Sequence, residues 1–174
     1  MFDKLIDLII DLFNRSLPFV VITEYQCGVL LRLGRYRREL PPGFHWIIPL
    51  ADHVEDVVTV WTTLTLPVQS VATKDRKVVI AKGMVKYRVS DPKTYTLDTY
   101  DAKAALSDTV CGIIFDAIHT KAWAECSEAD LISEINTHAK KEAKKWGITV
   151  GKVTLTDFGD VRSLRLFNEG LNTG

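Results

Sequence analysis

Three residues that could bind a metal ion or transfer a proton recur at four-residue intervals in the second half of the chain. If this segment is helical, Glu134, His138 and Glu142 share one helix face. Carboxylate oxygens and imidazole nitrogens are common ligands of Zn²⁺, so the spacing could describe a metal site. A solvated helix surface has the same composition, and that interpretation is favoured. We therefore predict no metal site.

A second polar group, Asp52, His53 and Glu55, contains the residue types of a general acid–base pair. Neighbours in a strand point to opposite faces of a sheet, which argues against a site shared by the adjacent members of this group. The sequence also contains no nucleophile elbow, no zinc-protease motif and no glycine-rich phosphate-binding loop. We therefore predict that the protein is not an enzyme and that it needs no cofactor.

The composition of the 174 residues is that of an ordinary globular protein, with 47% hydrophobic and 25% charged residues. The length predicts one domain, or two small subdomains that share a core. Because 22 basic residues balance 22 acidic residues, the net charge of +0 gives no electrostatic reason to expect a nucleic-acid partner. Cys27, Cys111 and Cys126 lack C-x-x-C spacing, which favours free thiols in a reducing compartment.

The first 16 residues have the pattern of an amphipathic helix. Asp3, Asp7 and Asp11 recur at every fourth position and form a narrow polar stripe. Three interpretations remain open: a helix in the plane of a membrane surface, a helix packed on protein, and a membrane span that continues to Ile22. The aspartates argue against the span. The predicted membrane-binding residues of this segment are Phe2, Leu5, Ile6, Leu8, Ile9, Leu12 and Phe13.

A second apolar segment is enclosed by residues that interrupt regular structure. Pro41-Pro42-Gly43 precedes it and Pro49 follows it, so we predict a chain reversal with a short apolar element inside. Phe44, Trp46 and Ile47 are the predicted membrane-binding residues of this element. Packing of the same side chains beneath the sheet is an equal alternative.

The basic residues Arg35, Arg37 and Arg38 form a local cluster just before this segment. The cluster is short, which makes it a weak signal for nucleic acid. We predict a loop that is either solvated or in contact with anionic lipid headgroups.

The predicted strands lie mainly in the first half of the chain. Residues 19–23 and 29–33 are rich in β-branched and apolar side chains and are predicted to pair as a hairpin. Further strands are predicted at 54–66, 68–72, 77–89 and 148–156, with a bulge at Gly83 in the third of these.

Two helices are predicted between the third and fourth of these further strands. Apolar residues with helical spacing occupy 101–119, and a second apolar stripe begins at Ser127, where a capping-box pattern occurs. Gly147 is placed as the residue that ends the second helix. Strands followed by two helices and a late strand predict an α+β fold.

Several of these segments together have the form of a known set of motifs: G-V-L-L-R-L-G-R from Gly28, P-G-F-H-W-I-I-P from Pro42, T-K-D from Thr73, and V-K-Y-R-V-S-D-P ending at Pro92. Their order resembles that of the SPFH or band-7 superfamily, which includes stomatins, prohibitins and flotillins. The resemblance covers residues 19–158. The residues that carry it are Gly28, Arg32, Gly34, Pro42, Gly43, His45, Pro49, Thr73, Asp75, Asp91 and Pro92.

The resemblance implies an SPFH-type domain in which an N-terminal antiparallel β-sheet is followed by two helices and a late strand. An amphipathic helix would precede the domain. The implied divisions are a membrane-associating helix at 1–16, a β-rich first subdomain at 17–100, an α/β second subdomain at 101–158, and a short tail at 159–174.

The resemblance also implies a function. Members of this family are generally non-catalytic scaffolds that assemble into rings or cages at a membrane. Their implied partners are membrane lipid, further copies of the chain, and a membrane protease, channel or full-length SPFH protein, with the domain on the cytoplasmic side. This sequence departs from the family in having no heptad run for the usual C-terminal coiled coil. The alternative is a soluble adaptor or inhibitor that docks its N-terminal helix on a protein, and so modulates a full-length SPFH assembly.

Overall fold

A computed structural model describes residues 18–160 of the chain. This part contains nine strands and three α-helices. The strands are β1 Phe19–Ile22, β2 Gln26–Arg32, β3 Arg35–Leu40, β4 Gly43–Trp46, β5 Asp52–Val58, β6 Thr62–Thr65, β7 Gln69–Ala72, β8 Val78–Val89 and β9 Ile148–Asp160. The helices are α1 Pro92–Leu97, α2 Ala102–His119 and α3 Glu128–Ala143. The predicted α+β class is confirmed.

The larger half of the fold is a four-stranded antiparallel sheet with two helices on one face. The central strand β8 pairs with β6 and β7 along one edge and with β9 along the other. Its side chains alternate, so that Ala81, Val85 and Tyr87 lie in a single apolar core with α2 and α3. The predicted bulge is present, because the β8–β9 register shifts between Lys82 and Gly83.

The smaller half consists of two sheets that share little core. Strands β1 and β4 form a two-stranded sheet, and β3, β2 and β5 form a three-stranded sheet. Ile22, Leu30 and Leu40 make one small buried cluster between them. The glycine of β2, Gly28, lies against this cluster, where an added Cβ would be 2.9 Å from Ile22 Cδ1. Close packing therefore requires glycine at this position.

The predicted pairing of 19–23 with 29–33 is wrong. Strand β1 pairs with β4, whereas β2 pairs with β3 and β5. The β2–β3 connection is a tight turn in which Leu33 and Gly34 have φ values of 49° and 76°. Two positive φ values are typical of two-residue hairpin loops, so β2 is joined directly to the next strand in sequence. The arginine cluster predicted as a loop is therefore the edge strand β3.

The predicted strand 54–66 is two strands in different sheets. Strand β5 joins β2, and β6 joins β8, with the chain crossing over between them at Trp61. The Trp61 ring packs on Gly151, where an added Cβ would be only 2.8 Å from the ring. An uninterrupted run of β-favouring residues does not encode this crossing, because the contact that fixes it is long-range.

Two local predictions about helices also need correction. Helix α1 is absent from the sequence prediction; its cap is Asp91, whose carboxylate accepts a hydrogen bond from Thr94 N at 3.1 Å. Ser127 precedes α3 but makes no side-chain capping bond, so the capping box is wrong. Gly147 has φ 68° and ends the helical segment as predicted.

The late strand joins the sheet of the first half of the chain. Strand β9 pairs with β8 from Ile148 to Asp160, so the predicted division at residue 100 separates two segments that share one sheet. The predicted N-terminal amphipathic helix lies outside the described residues, as does the predicted tail at 159–174 except for Gly159 and Asp160, which belong to β9.

Candidate functional site

The two-stranded sheet β1–β4 presents aromatic side chains to solvent. Its register places Phe19 opposite Trp46 and Val21 opposite Phe44. Phe44 is 54% exposed and Trp46 is 68% exposed, although their ring centroids are only 5.5 Å apart. Phe19 stacks on Phe44 at 5.2 Å. Three aromatic rings thus form one exposed cluster.

The alternation of side chains in this sheet explains the exposure. Val20, Ile22 and Ile47 point to the small core of Ile22, Leu30 and Leu40, so the intervening residues must point away from it. Gly43 begins β4 with φ 131°, a conformation that favours glycine. The predicted membrane-binding residues are therefore divided: Phe44 and Trp46 are exposed, whereas Ile47 is partly buried against this core.

Two exposed leucines that are not among the predicted membrane-binding residues lie beside this cluster. Leu33 is 79% exposed and Leu50 is 92% exposed. Both have positive φ values, of 49° and 67°, which are uncommon for a leucine. Leu33 N donates to Ala51 O at 2.7 Å, which brings the two turns together. We call the surface formed by Phe19, Leu33, Phe44, Trp46, Ile48 and Leu50 the apolar end.

A partly buried ion pair holds these turns in place. Arg32 Nε and Nη2 donate to the two carboxylate oxygens of Asp52 at 2.6 and 3.0 Å. The Asp52 side chain is fully buried and also accepts from Ile48 N at 2.8 Å. The hydrogen bonds from these donors, of which that from Arg32 has the largest effect, hold the pKa of the Asp52 carboxyl below its usual range. The motif residue Arg32 therefore positions the turns at Leu33 and Leu50.

The basic residues of β3 are next to the apolar end. Arg35, Arg37 and Arg38 are all exposed on this edge strand, which follows directly after the Leu33–Gly34 turn. Each could contact an anion without any loss of core packing.

The other motif residues stabilise turns. Thr73 is buried and donates to Asp75 Oδ1 at 2.5 Å, and Asp75 Oδ1 accepts from Trp123 N at 3.1 Å. This contact joins the β7–β8 turn to the connection between α2 and α3. His45 Nε2 lies 2.6 Å from Pro41 O, across the turn that begins β4.

The side chains with possible chemistry do not assemble into a reactive site. Glu134 accepts from Lys121 Nζ at 2.6 Å, and Glu142 forms an ion pair with Lys145, so each carboxylate on the His138 face has a lysine partner. No group of metal-ligating side chains occurs among residues 18–160. His53 and Glu55 are 2.8 Å apart, but both are exposed.

The three cysteines are free thiols, each partly buried. Burial raises the pKa of each thiol above its usual value, which disfavours the reactive thiolate. Among the helices of the described part, none is long and apolar enough to cross a membrane.

Comparison with known proteins identifies one family. The profile described as "SPFH domain / Band 7 family" matches residues 20–162. An uncharacterized protein from Archaeoglobus fulgidus is 31% identical over 141 residues, which is 79% of this chain and 56% of the relative. A stomatin homolog from Pyrococcus horikoshii is 28% identical over 141 residues, or 79% of this chain and 52% of that protein.

A shorter match has higher identity. Protein HflK of Vibrio parahaemolyticus is 37% identical over 89 residues, covering 51% of this chain and 22% of that protein. The chain thus spans only part of the length of these curated relatives.

Proposed function

This chain belongs to the SPFH domain / Band 7 family, and we propose that it is a non-catalytic scaffold that binds a membrane surface through its apolar end and assembles with further copies of itself. The assembly would organise a membrane patch, or cover and regulate a membrane protein such as a protease or channel. The observation that carries the proposal is the exposed cluster of Phe19, Phe44 and Trp46.

The size of this cluster makes lipid a suitable partner. Apolar surface removed from water contributes roughly 25 cal/mol per Å², so about 100 Å² from each of two half-exposed rings would contribute at most ~5 kcal/mol. Tryptophan and other aromatic rings also favour the boundary between headgroups and acyl chains. Exposed leucines at the tips of two adjacent turns extend the same apolar surface.

The position of the cluster in the chain supports the same partner. Phe19 follows the predicted amphipathic segment 1–16 with only two residues between, so a membrane bound by that segment would lie close to the apolar end. Arg35, Arg37 and Arg38 are exposed on the neighbouring strand and would add attraction to anionic lipids.

The names of the relatives support a membrane-associated scaffold. A stomatin homolog and a protein HflK are each similar to part of this chain. Assembly into an oligomer and regulation of a membrane protein come from the family resemblance, and both remain part of the proposal.

Liposome flotation of the full-length chain tests the membrane contact. We expect Phe44→Ser with Trp46→Ser to lower the partition coefficient at least about tenfold, because the exposed rings would no longer leave water. Phe115→Ser is the matched control: Phe115 is 43% exposed, but it lies on α2 away from the apolar end. Leu8→Glu with Leu12→Glu tests the predicted N-terminal segment separately.

Two outcomes would contradict the proposal. If the wild-type chain floats and the double serine variant floats equally well, the apolar end does not contact lipid. If the wild-type chain binds neither neutral nor phosphatidylserine-containing vesicles, the adaptor that docks on a protein becomes the better explanation.

A further inference from the structure

A cationic surface surrounds an aromatic ring on the outer face of the four-stranded sheet. The Trp61 ring lies across Gly151, and Lys86 Nζ and Arg88 Cζ lie 5.7 and 5.1 Å from its centroid. Lys152 lies on the same face, opposite Lys86 in the β8–β9 register. We call Trp61, Lys86, Arg88 and Lys152 the cationic patch.

The arrangement of charges in this patch is unfavourable on its own. Like charges directly opposite each other on neighbouring strands are destabilising, and Lys86 and Lys152 are such a pair. None of the ion pairs found within residues 18–160 involves Lys86, Arg88 or Lys152. Trp61 is 45% exposed and both lysines are exposed, so the patch can accept an anionic partner.

A surface of opposite charge lies where β5 meets the start of α2. Glu55, Asp56 and Asp101 line a cleft of about 370 Å³ together with Tyr95 and Tyr100. Tyr100 is fully exposed. We call this site the acidic cleft. The hydroxyl of Thr96, which also lines it, is buried and has no hydrogen-bond partner among the described residues.

The two surfaces lie on opposite sides of the main sheet. Successive residues of β8 alternate in direction, so Lys86 and Arg88 point away from Tyr87 and Val89. Tyr87 and Val89 line a depression that adjoins the acidic cleft, sharing Asp56 and Tyr95 with it. The cationic patch therefore cannot be neutralised by the acidic cleft of the same molecule.

We propose that the cationic patch of one copy binds the acidic cleft of the next copy, in a head-to-tail contact. Such a contact uses two different surfaces, and it generates a ring if the rotation between copies closes and a filament if it does not. The inference rests on the self-assembly in the proposed function and names the surfaces that carry it. Trp61 and Arg88 on one surface and Tyr100 on the other are exposed and are residue types that are enriched at interfaces.

Charge reversal tests the contact in the full-length chain. Lys86→Glu with Lys152→Glu, and separately Glu55→Lys with Asp56→Lys, should each raise the dissociation constant for self-association at least about tenfold. All four side chains are exposed, so the fold should tolerate the changes. Lys140→Glu with Lys144→Glu, at two exposed lysines near the end of α3, is the control for the first variant because it makes the same change in net charge.

Mixing the two variants is the decisive measurement. The first variant has two acidic surfaces and the second has two basic surfaces, so each is complementary only to the other. An equimolar mixture should therefore assemble with strict alternation of the two variants, which native mass spectrometry resolves. Assembly of either variant alone at wild-type strength, or failure of the mixture to assemble, would overturn the head-to-tail contact. A wild-type chain that stays monomeric in detergent and on vesicles would overturn it as well.

Liposome flotation of the same variants separates this inference from the proposed membrane contact. We expect both charge-reversed chains to float as the wild type does, because neither changes the apolar end. Loss of assembly with retained flotation supports the contact between copies. Unchanged assembly with retained flotation contradicts the contact and leaves membrane binding standing.

Discussion

The two halves of the molecule use apolar residues in different ways. The larger half has one large core, in which Leu106, Val110 and Ile114 of α2 lie with buried residues of β8, β9 and α3. The smaller half buries only small clusters and leaves Phe44, Trp46 and four other apolar side chains exposed in one place. The larger half therefore supplies most of the stability. The smaller half displays a surface that its own core does not need.

The largest expected effect is the difference in stability between two variants, each changed at one residue of a different half. Leu106→Ala should destabilise the fold by about 2–5 kcal/mol, because it opens a cavity in the main core. Trp46→Ser should change stability by no more than about 0.5 kcal/mol, because the ring is mostly exposed. Denaturant unfolding measures both. A Trp46→Ser chain as unstable as the Leu106→Ala chain would show that the apolar end belongs to the core.

An intermediate effect is expected at the ion pair that supports the apolar end. Asp52→Asn should destabilise the fold by about 1–3 kcal/mol, since Arg32 and Ile48 N lose a charged acceptor. The pKa of Asp52 lies below its ordinary value of 3.8 in the folded state, so its contribution is complete above that value and is lost as the pH falls through the folded-state pKa.

The pH dependence provides an independent check. Between neutral and strongly acidic conditions, the wild type should lose more stability than Asp52→Asn does. Asp52→Asn should remove only part of the loss of stability at low pH, because the pKa values of Asp75, Asp91 and Glu142 are also lowered by their hydrogen bonds. If stability falls with pH in parallel for the two proteins, the Asp52–Arg32 pair makes no pH-dependent contribution to stability.

The smallest expected effect tests whether the exposed leucines serve function rather than stability. Leu33→Asn and Leu50→Asn should stabilise the fold slightly, by up to about 1 kcal/mol, because asparagine tolerates positive φ better than leucine. The same changes should weaken flotation with liposomes. If both variants lose stability, the leucines contribute to packing and the division between the two halves is less sharp.

Much of the larger half could be predicted from sequence. The predicted helix 101–119 corresponds to Ala102–His119, and the predicted strand 77–89 corresponds to Val78–Val89 with its bulge. These elements have one buried face, so the period of their apolar residues reports their structure directly. The prediction for Gly147 is also correct, because ending a helix in a left-handed conformation is a local requirement.

Predictions failed where the structure depends on partners distant in sequence. Strand propensity does not specify which strands pair, so the neighbour predicted for β1 is the wrong one. The exposure of Leu33 and Leu50 depends on an ion pair between residues 20 positions apart. The cationic patch depends on the contact of Trp61 with Gly151, which joins the segment before β6 to the far edge of the sheet.

The sequence by itself determined the α+β class, the order of the main elements, the family motifs and the apolar character of the segment around Phe44 and Trp46. These features depend on local propensity and on the spacing of apolar residues. Only the tertiary structure decided that Ile47 turns toward the core while Phe44 and Trp46 turn outward, and that cations and carboxylates gather on opposite sides of one sheet. Strand pairing and register assign each side chain to a face, and both arise from contacts between distant parts of the chain.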